Sequence, residues 1–113
     1  MKFIKKFKCA GSGLIIGLKQ PSILLQLFLG LATVSVFMVL NISLSDWLIV
    51  IFAIAMVVLA EWINSIAELM VDYISLAVNP QAKLIKDFSA GLVLLAAGFA
   101  VVIGVLLLIK YLG

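Results

Sequence analysis

The chain has 113 residues, of which 66% are hydrophobic and only 12% are charged, whereas soluble domains are usually about half apolar and a quarter charged. A chain of this length forms one domain, and most of its surface needs a solvent other than water. It has no histidine, no arginine and a single cysteine, Cys9. Imidazole chemistry, bidentate guanidinium contacts and an internal disulfide are therefore excluded. We expect an all-α membrane protein.

The N-terminal segment, residues 2–19, holds five of the eight lysines. Its apolar residues recur at helical spacing along one face: Phe3, Phe7, Ala10, Leu14 and Leu18. A basic amphipathic helix of this kind lies on an anionic membrane surface. The alternative is a frayed basic arm held by charge alone, because Gly11, Gly13 and Gly17 each weaken a helix by about 1 kcal/mol relative to alanine.

Three apolar segments follow, and we predict membrane-spanning helices over 21–41, 46–75 and 82–111. At 1.5 Å per residue each exceeds or approaches the ~30 Å hydrocarbon core, and the second projects beyond it. Ser45 or Asp46 is the candidate cap of the second helix. Lysines cluster in the N-terminal arm and at the start of the third span, while the first loop has none. The positive-inside rule therefore predicts a multi-pass protein of the cytoplasmic membrane with a cytoplasmic N-terminus.

The distal half of the second span carries a stripe of polar residues: Glu61, Asn64, Ser65, Glu68 and Asp72. At about 100° per residue they fall within an arc of roughly 100° on one face of the helix. An acid in the bilayer centre costs at least about 2.5–3.5 kcal/mol by insertion scales. We therefore predict a function for Glu61, Asn64 and Glu68, whereas Asp72 is explained equally well as a solvated residue.

The chemistry of this stripe is consistent with phosphoryl transfer. Glu68 and Asn64 offer the hard oxygen ligands that suit Mg²⁺, and Glu61, which lies deeper, is a candidate proton acceptor. Lysines at the same interface are candidates for neutralising phosphate oxygens: Lys86, with Lys5 or Lys8. The spacing alone would equally allow a cation-binding or proton-coupled site.

The motif Glu61-x-x-Asn64-Ser65-x-x-Glu68-x-x-x-Asp72, followed by Lys86-Asp87, resembles the signature of the prokaryotic diacylglycerol kinases, whose relatives include undecaprenol kinases. The resemblance covers nearly the whole chain, and the arm Phe3-x-Lys5-x-x-Lys8-x-Ala10-Gly11 is its weaker part. It implies a kinase that uses ATP with Mg²⁺ and phosphorylates the primary hydroxyl of diacylglycerol or undecaprenol at the cytoplasmic face. It also implies a homotrimer with active sites shared between subunits. We expect no nucleic-acid partner, and the sequence does not separate the two lipids.

The resemblance also assigns roles to individual residues. Nucleotide binding is assigned to Lys5, Lys8, Asn64, Glu68, Lys86 and Asp87. The metal is assigned to Glu68, Asn64 and Gln20. The lipid acceptor is assigned to Glu61, which acts as the base, and to Ser65 and Ser89. The family usually has a glutamate where this chain has Gln20, and Lys5 replaces an arginine that is common in the arm and that lysine does not match in bidentate phosphate binding.

Two other functions stay open at this stage. The first is a weakly active or inactive homologue that binds lipid or acts as a scaffold, and it is motivated by Gln20 in place of the usual acid. The second is a small ion- or proton-coupled transporter that uses Glu61. Three spans would give a transporter an unpaired topology, and the acids cluster at one end rather than at the midplane, so we favour the kinase.

Overall fold

The computed structural model describes residues 2–74 and 79–113, which form four helices. These are α1 (Lys2–Leu18), α2 (Pro21–Leu40), α3 (Leu44–Ile74) and α4 (Pro80–Leu112). By length and composition, α2, α3 and α4 are each able to cross a membrane. The predicted all-α architecture, with three spans preceded by an N-terminal helix, is confirmed. The predicted end of the second span, Ser75, lies outside the described residues.

The turn between α2 and α3 depends on two polar residues. Asn41 adopts the left-handed conformation, with φ of 55°, and ends α2 in the way that glycine or asparagine commonly does. The Oγ of Ser43 accepts the backbone N–H of Asp46 at 3.4 Å. The cap of α3 is therefore Ser43 rather than the predicted Ser45 or Asp46, because a cap bonds the N–H two or three residues ahead of it.

The start of α4 is fixed by an asparagine–proline pair. Asn79 has an extended backbone, and its Oδ1 accepts the N–H of Ala82 at 2.7 Å. Pro80 occupies the first helical position, where its missing N–H leaves no hydrogen bond unmade. The helix consequently begins two residues before the predicted start at 82.

The three long helices form a flat layer with α3 between α2 and α4. The molecule measures 52 × 43 × 19 Å, so its smallest dimension is less than half of either of the other two. Gly30 of α2 lets the backbone approach α3 closely, since a Cβ there would lie 3.0 Å from Cγ2 of Ile54. Most apolar side chains of α4 are exposed, which suits contact with lipid or with another protein chain.

The N-terminal helix α1 forms despite its three glycines. Its lysines are exposed, and the rings of Phe3 and Phe7 meet edge to face with centroids 4.9 Å apart. Both rings are largely exposed, so α1 presents aromatic residues on its surface beside its lysines, as a helix at a membrane interface does.

Candidate active site

Burial of the polar stripe decreases along α3 toward its C-terminal end. Glu61 is only 8% exposed, Asn64 and Ser65 are half-buried, and Glu68 and Asp72 are exposed. Within residues 2–74 and 79–113, the side chain of Glu61 makes no hydrogen bond or ion pair, yet no polar side-chain atom there is both fully buried and unpartnered. The carboxylate of Glu61 therefore reaches the molecular surface at the edge of an apolar region.

Asn64 connects the stripe on α3 to α4. Its Nδ2 donates to Oε1 of Glu68 at 3.3 Å, one helical turn away. The hydroxyl of Ser89 donates to Oδ1 of Asn64 at 2.7 Å, across the α3–α4 interface. The structure thus joins Asn64, Glu68 and Ser89, three of the predicted site residues, in one hydrogen-bonded chain.

Two ion pairs lie at the same end of the helix pair. Lys86 Nζ lies 2.8 Å from Oδ1 of Asp72, and their side chains are 43% and 61% exposed. Lys83 pairs with Asp87 one turn further along α4, and both of these side chains are well exposed. Lys86 therefore points toward α3 and its acids, while Asp87 pairs with a residue of its own helix.

The structure does not bring every predicted site residue into this network. Lys5 and Lys8 lie exposed on α1, and Ser65 is half-buried on α3. Gln20 is the residue before α2, and its side chain makes no capping hydrogen bond. In the described part of the chain, none of these four side chains bonds to Asn64 or Glu68.

A contact between α1 and α3 was not foreseen from the sequence. Gly17 is buried in α1, and a Cβ built there would lie 2.0 Å from the indole ring of Trp62. Only a residue without a side chain allows the ring so close. Trp62 directly follows Glu61, so this contact holds the end of α1 near the stripe. The only sequence signal was a glycine inside an otherwise continuous amphipathic pattern.

A second polar cluster lies at the opposite end of the molecule. The Asp46 carboxylate is buried, with Lys110 Nζ 2.8 Å from its Oδ2, and it also accepts hydrogen bonds from Tyr111 and Ser43. The sequence signal was the single lysine near the end of α4. The two polar clusters mark the two ends of the α3–α4 pair, and the apolar length between them is the membrane-spanning part.

The described residues of the site offer few ligands for a metal ion. Among the described residues, no group of three His, Cys, Asp or Glu side chains is placed to hold a metal ion. What the C-terminal half of α3 offers is the Glu68 carboxylate and the amide oxygen of Asn64. Such a set fits Mg²⁺ that arrives with phosphate, because this ion keeps several waters and takes further oxygens from its substrate.

A cavity of about 440 Å³ opens between the three long helices. Val50, Ala53 and Val57 of α3 line it, together with residues of α2 and α4. Its polar side chains are Gln26 and Thr33, and the Thr33 hydroxyl already donates to the carbonyl of Leu29 at 2.9 Å. The cavity begins about one turn from Glu61 and runs toward the other membrane face.

A comparison of the sequence with protein-family models identifies the family of this chain. The model described as prokaryotic diacylglycerol kinase matches residues 8–108, which include the polar stripe and the start of α4. A comparison with individual curated proteins finds no match. Since the family model spans far more than half of the sequence, the chain belongs to the prokaryotic diacylglycerol kinase family and is a membrane-embedded lipid kinase.

Proposed function

We propose that the protein transfers the γ-phosphoryl group of ATP to the primary hydroxyl of diacylglycerol or undecaprenol at the cytoplasmic membrane face. Family membership implies a lipid acceptor, ATP and a divalent cation. The observation that carries the finer proposal is the position of Glu61. It is a nearly buried carboxylate one turn from Asn64 and two turns from Glu68, where lipid and nucleotide can meet.

Glu61 is the proposed general base. Its carboxylate reaches the surface beside apolar helix faces, so a lipid hydroxyl can approach it from within the bilayer. It accepts the hydroxyl proton as the oxygen attacks the γ-phosphorus and the bond from that phosphorus to the bridging oxygen breaks, which releases ADP. Such a base typically contributes 10²–10⁴-fold in rate. Ser65 lies one turn from Glu61 on α3, and Ser89 lies across the α3–α4 interface, where it bonds to Asn64. We assign both serines to the lipid side of the site.

Asn64 and Glu68 are the proposed ligands of the cation that accompanies ATP, with Gln20 as a further oxygen donor. We propose that the cation is Mg²⁺, which prefers oxygen ligands and octahedral geometry. When bound, it neutralises charge on the β- and γ-phosphate oxygens. The amide of Gln20 supplies an oxygen without a charge, so the site is one negative charge weaker than a site with glutamate there.

Lysines supply the remaining positive charge in this proposal. Lys86 lies at the interface with its Nζ already beside an acid of α3, and it is placed to contact phosphate oxygens. We assign Lys5 and Lys8 on α1 to the phosphates, and Asp87 to a part of the nucleotide other than the phosphates. In this proposal the N-terminus of the chain, the C-terminal end of α3 and the start of α4 are cytoplasmic, because ATP is available only on that side of the membrane.

A homotrimer with shared active sites is the proposed assembly. A single chain is a flat layer 19 Å thick, and it leaves most of the apolar surface of α4 exposed. Among the described residues, Lys5 and Lys8 form no ion pair with the acids of their own chain. These features support a site completed by the arm or helix of a neighbouring copy.

The proposal is tested by ATP-dependent phosphorylation of diacylglycerol and of undecaprenol in mixed micelles. Wild type, Glu61→Gln and Gln20→Glu are compared with and without Mg²⁺. We expect Mg²⁺-dependent product from the wild type and a loss of at least 100-fold in Glu61→Gln, and the preferred lipid identifies the substrate. Turnover by Gln20→Glu but not by the wild type would instead favour the inactive homologue. Cation transport that needs Glu61 but not ATP would favour the transporter.

A further inference from the structure

The hydrogen bond between Ser89 and Asn64 fixes the orientation of the Asn64 amide. The Glu68 carboxylate accepts hydrogen bonds and donates none, so the Nδ2 of Asn64 faces Glu68 at 3.3 Å. The Oδ1 must then face the opposite way, toward α4. The Ser89 hydroxyl meets it there at 2.7 Å as the donor. Reversal of the amide would leave Oδ1 against a carboxylate, which is repulsive.

The hydroxyl of Ser89 has a second acceptor. It lies 3.1 Å from the backbone carbonyl of Lys86, on its own helix. The shorter bond to Asn64 can persist when the site binds a cation, because the amide oxygen has two lone pairs: one accepts from Ser89 and the other is open to the cation. Ser89 therefore holds the amide in one orientation with or without a bound cation.

We propose that Ser89 is a positioning residue that presents the amide oxygen of Asn64 to the metal–nucleotide between α3 and α4. This inference rests on the proposed function, because it takes Asn64 as a ligand of the cation. Ser89 acts through Asn64 and keeps its own oxygen lone pairs for the lipid side. Its effect therefore falls on nucleotide and metal binding rather than on binding of the lipid.

The experiment compares Ser89→Ala, Ser89→Cys and Ser89→Thr with a matched control, Ser35→Ala. Ser35 also lies on a membrane helix, but its hydroxyl donates to the carbonyl of Leu31 at 2.9 Å within that helix. Cysteine preserves the size of the side chain with a weak donor, and threonine preserves the hydroxyl. Helicity by circular dichroism in detergent confirms that each variant is folded.

Two measurements do not depend on turnover. The first is the side-chain amide signal of Asn64 in ¹⁵N-labelled protein without metal or nucleotide. The second is the dissociation constant of a non-hydrolysable ATP analogue with Mg²⁺. We expect Ser89→Ala to shift the amide signal and to weaken binding roughly three- to tenfold, the range for one neutral hydrogen bond. We expect a smaller loss for Ser89→Cys, and values near wild type for Ser89→Thr and Ser35→Ala.

Kinetic measurements then distinguish a role of Ser89 in nucleotide binding from a role in lipid binding. We expect KM for Mg·ATP to rise in Ser89→Ala while KM for the lipid stays at the wild-type value. A rise in the lipid KM with unchanged nucleotide binding would overturn the proposal and leave Ser89 as a lipid contact only. An unshifted amide signal would also overturn it. If the wild type binds nucleotide but phosphorylates neither lipid, the proposed function is refuted. The Asn64 amide signal and the dissociation constant of the ATP analogue would still decide the role of Ser89.

Discussion

Lys110 Nζ lies 2.8 Å from Oδ2 of Asp46, an ion pair between residues 64 positions apart that joins the last turn of α4 to the first turn of α3. Asp46 is buried and Lys110 is about half exposed. Tyr111 and Ser43 complete the hydrogen bonds to the same carboxylate. This end of the helix pair is thus fixed by a polar cluster, while the opposite end contains the more open polar stripe of α3.

Removing that carboxylate charge is expected to destabilise the fold and to leave the chemistry in place. Asp46→Asn leaves Lys110 without its partner, and loss of one member of a partly buried pair is costly. We expect the unfolding temperature in detergent, followed by circular dichroism, to fall by several degrees. Lys83→Met is the matched control, because it breaks an exposed ion pair within α4, and such pairs contribute little. Equal effects from the two variants would contradict this account of the cluster.

Because Gly17 lies against Trp62, a side chain at position 17 is expected to clash with the indole ring, and a smaller side chain at position 62 is expected to relieve the clash. Gly17→Ala places a methyl group inside the indole ring, so α1 must move away from α3. We expect lower activity and a changed mobility of a nitroxide attached to Cys9, the only cysteine and an exposed residue of α1. The second change Trp62→Leu should restore both toward wild type. Gly13→Ala is the control, since a Cβ at Gly13 meets nothing within 4 Å.

The ion pair between Lys86 and Asp72 predicts competition with the nucleotide. Lys86 is paired with Asp72, so Asp72→Asn frees the lysine for phosphate. We expect KM for Mg·ATP to fall about two- to fivefold at low ionic strength, and the difference to shrink as salt screens the exposed pair. Asp72→Glu, which keeps the charge, should remain close to wild type. A higher KM in Asp72→Asn would show that Asp72 directs Lys86 toward the phosphates.

Restoring an acid before α2 is expected to strengthen metal binding. Gln20→Glu adds a carboxylate whose side chain is not engaged in capping α2, and a negative charge there also suits the helix N-terminus. We expect the Mg²⁺ concentration for half-maximal activity to fall several-fold. Gln81→Glu is the control, because it places the same charge in the first turn of α4, at a residue with no proposed role in metal binding. A similar gain from both variants would point to general attraction of cations rather than to a ligand at position 20.

The sequence by itself determined the architecture and the identity of the polar stripe. Apolar segments of 20 residues and more require helices, because backbone groups in hydrocarbon must bond within their own segment. Helical periodicity then places Glu61, Asn64 and Glu68 on one face, since local geometry alone decides which residues of a helix share a side. The family followed from the same spacing.

Only the tertiary structure decided how the helices meet. The partners of Asn64, Lys86 and Asp46 on the facing helix depend on the register of α3 against α4, which side-chain packing sets and no local rule predicts. The close approach of Gly17 to Trp62 likewise depends on where α1 docks. Local periodicity thus defined the residues available for chemistry, and long-range packing selected the contacts among them.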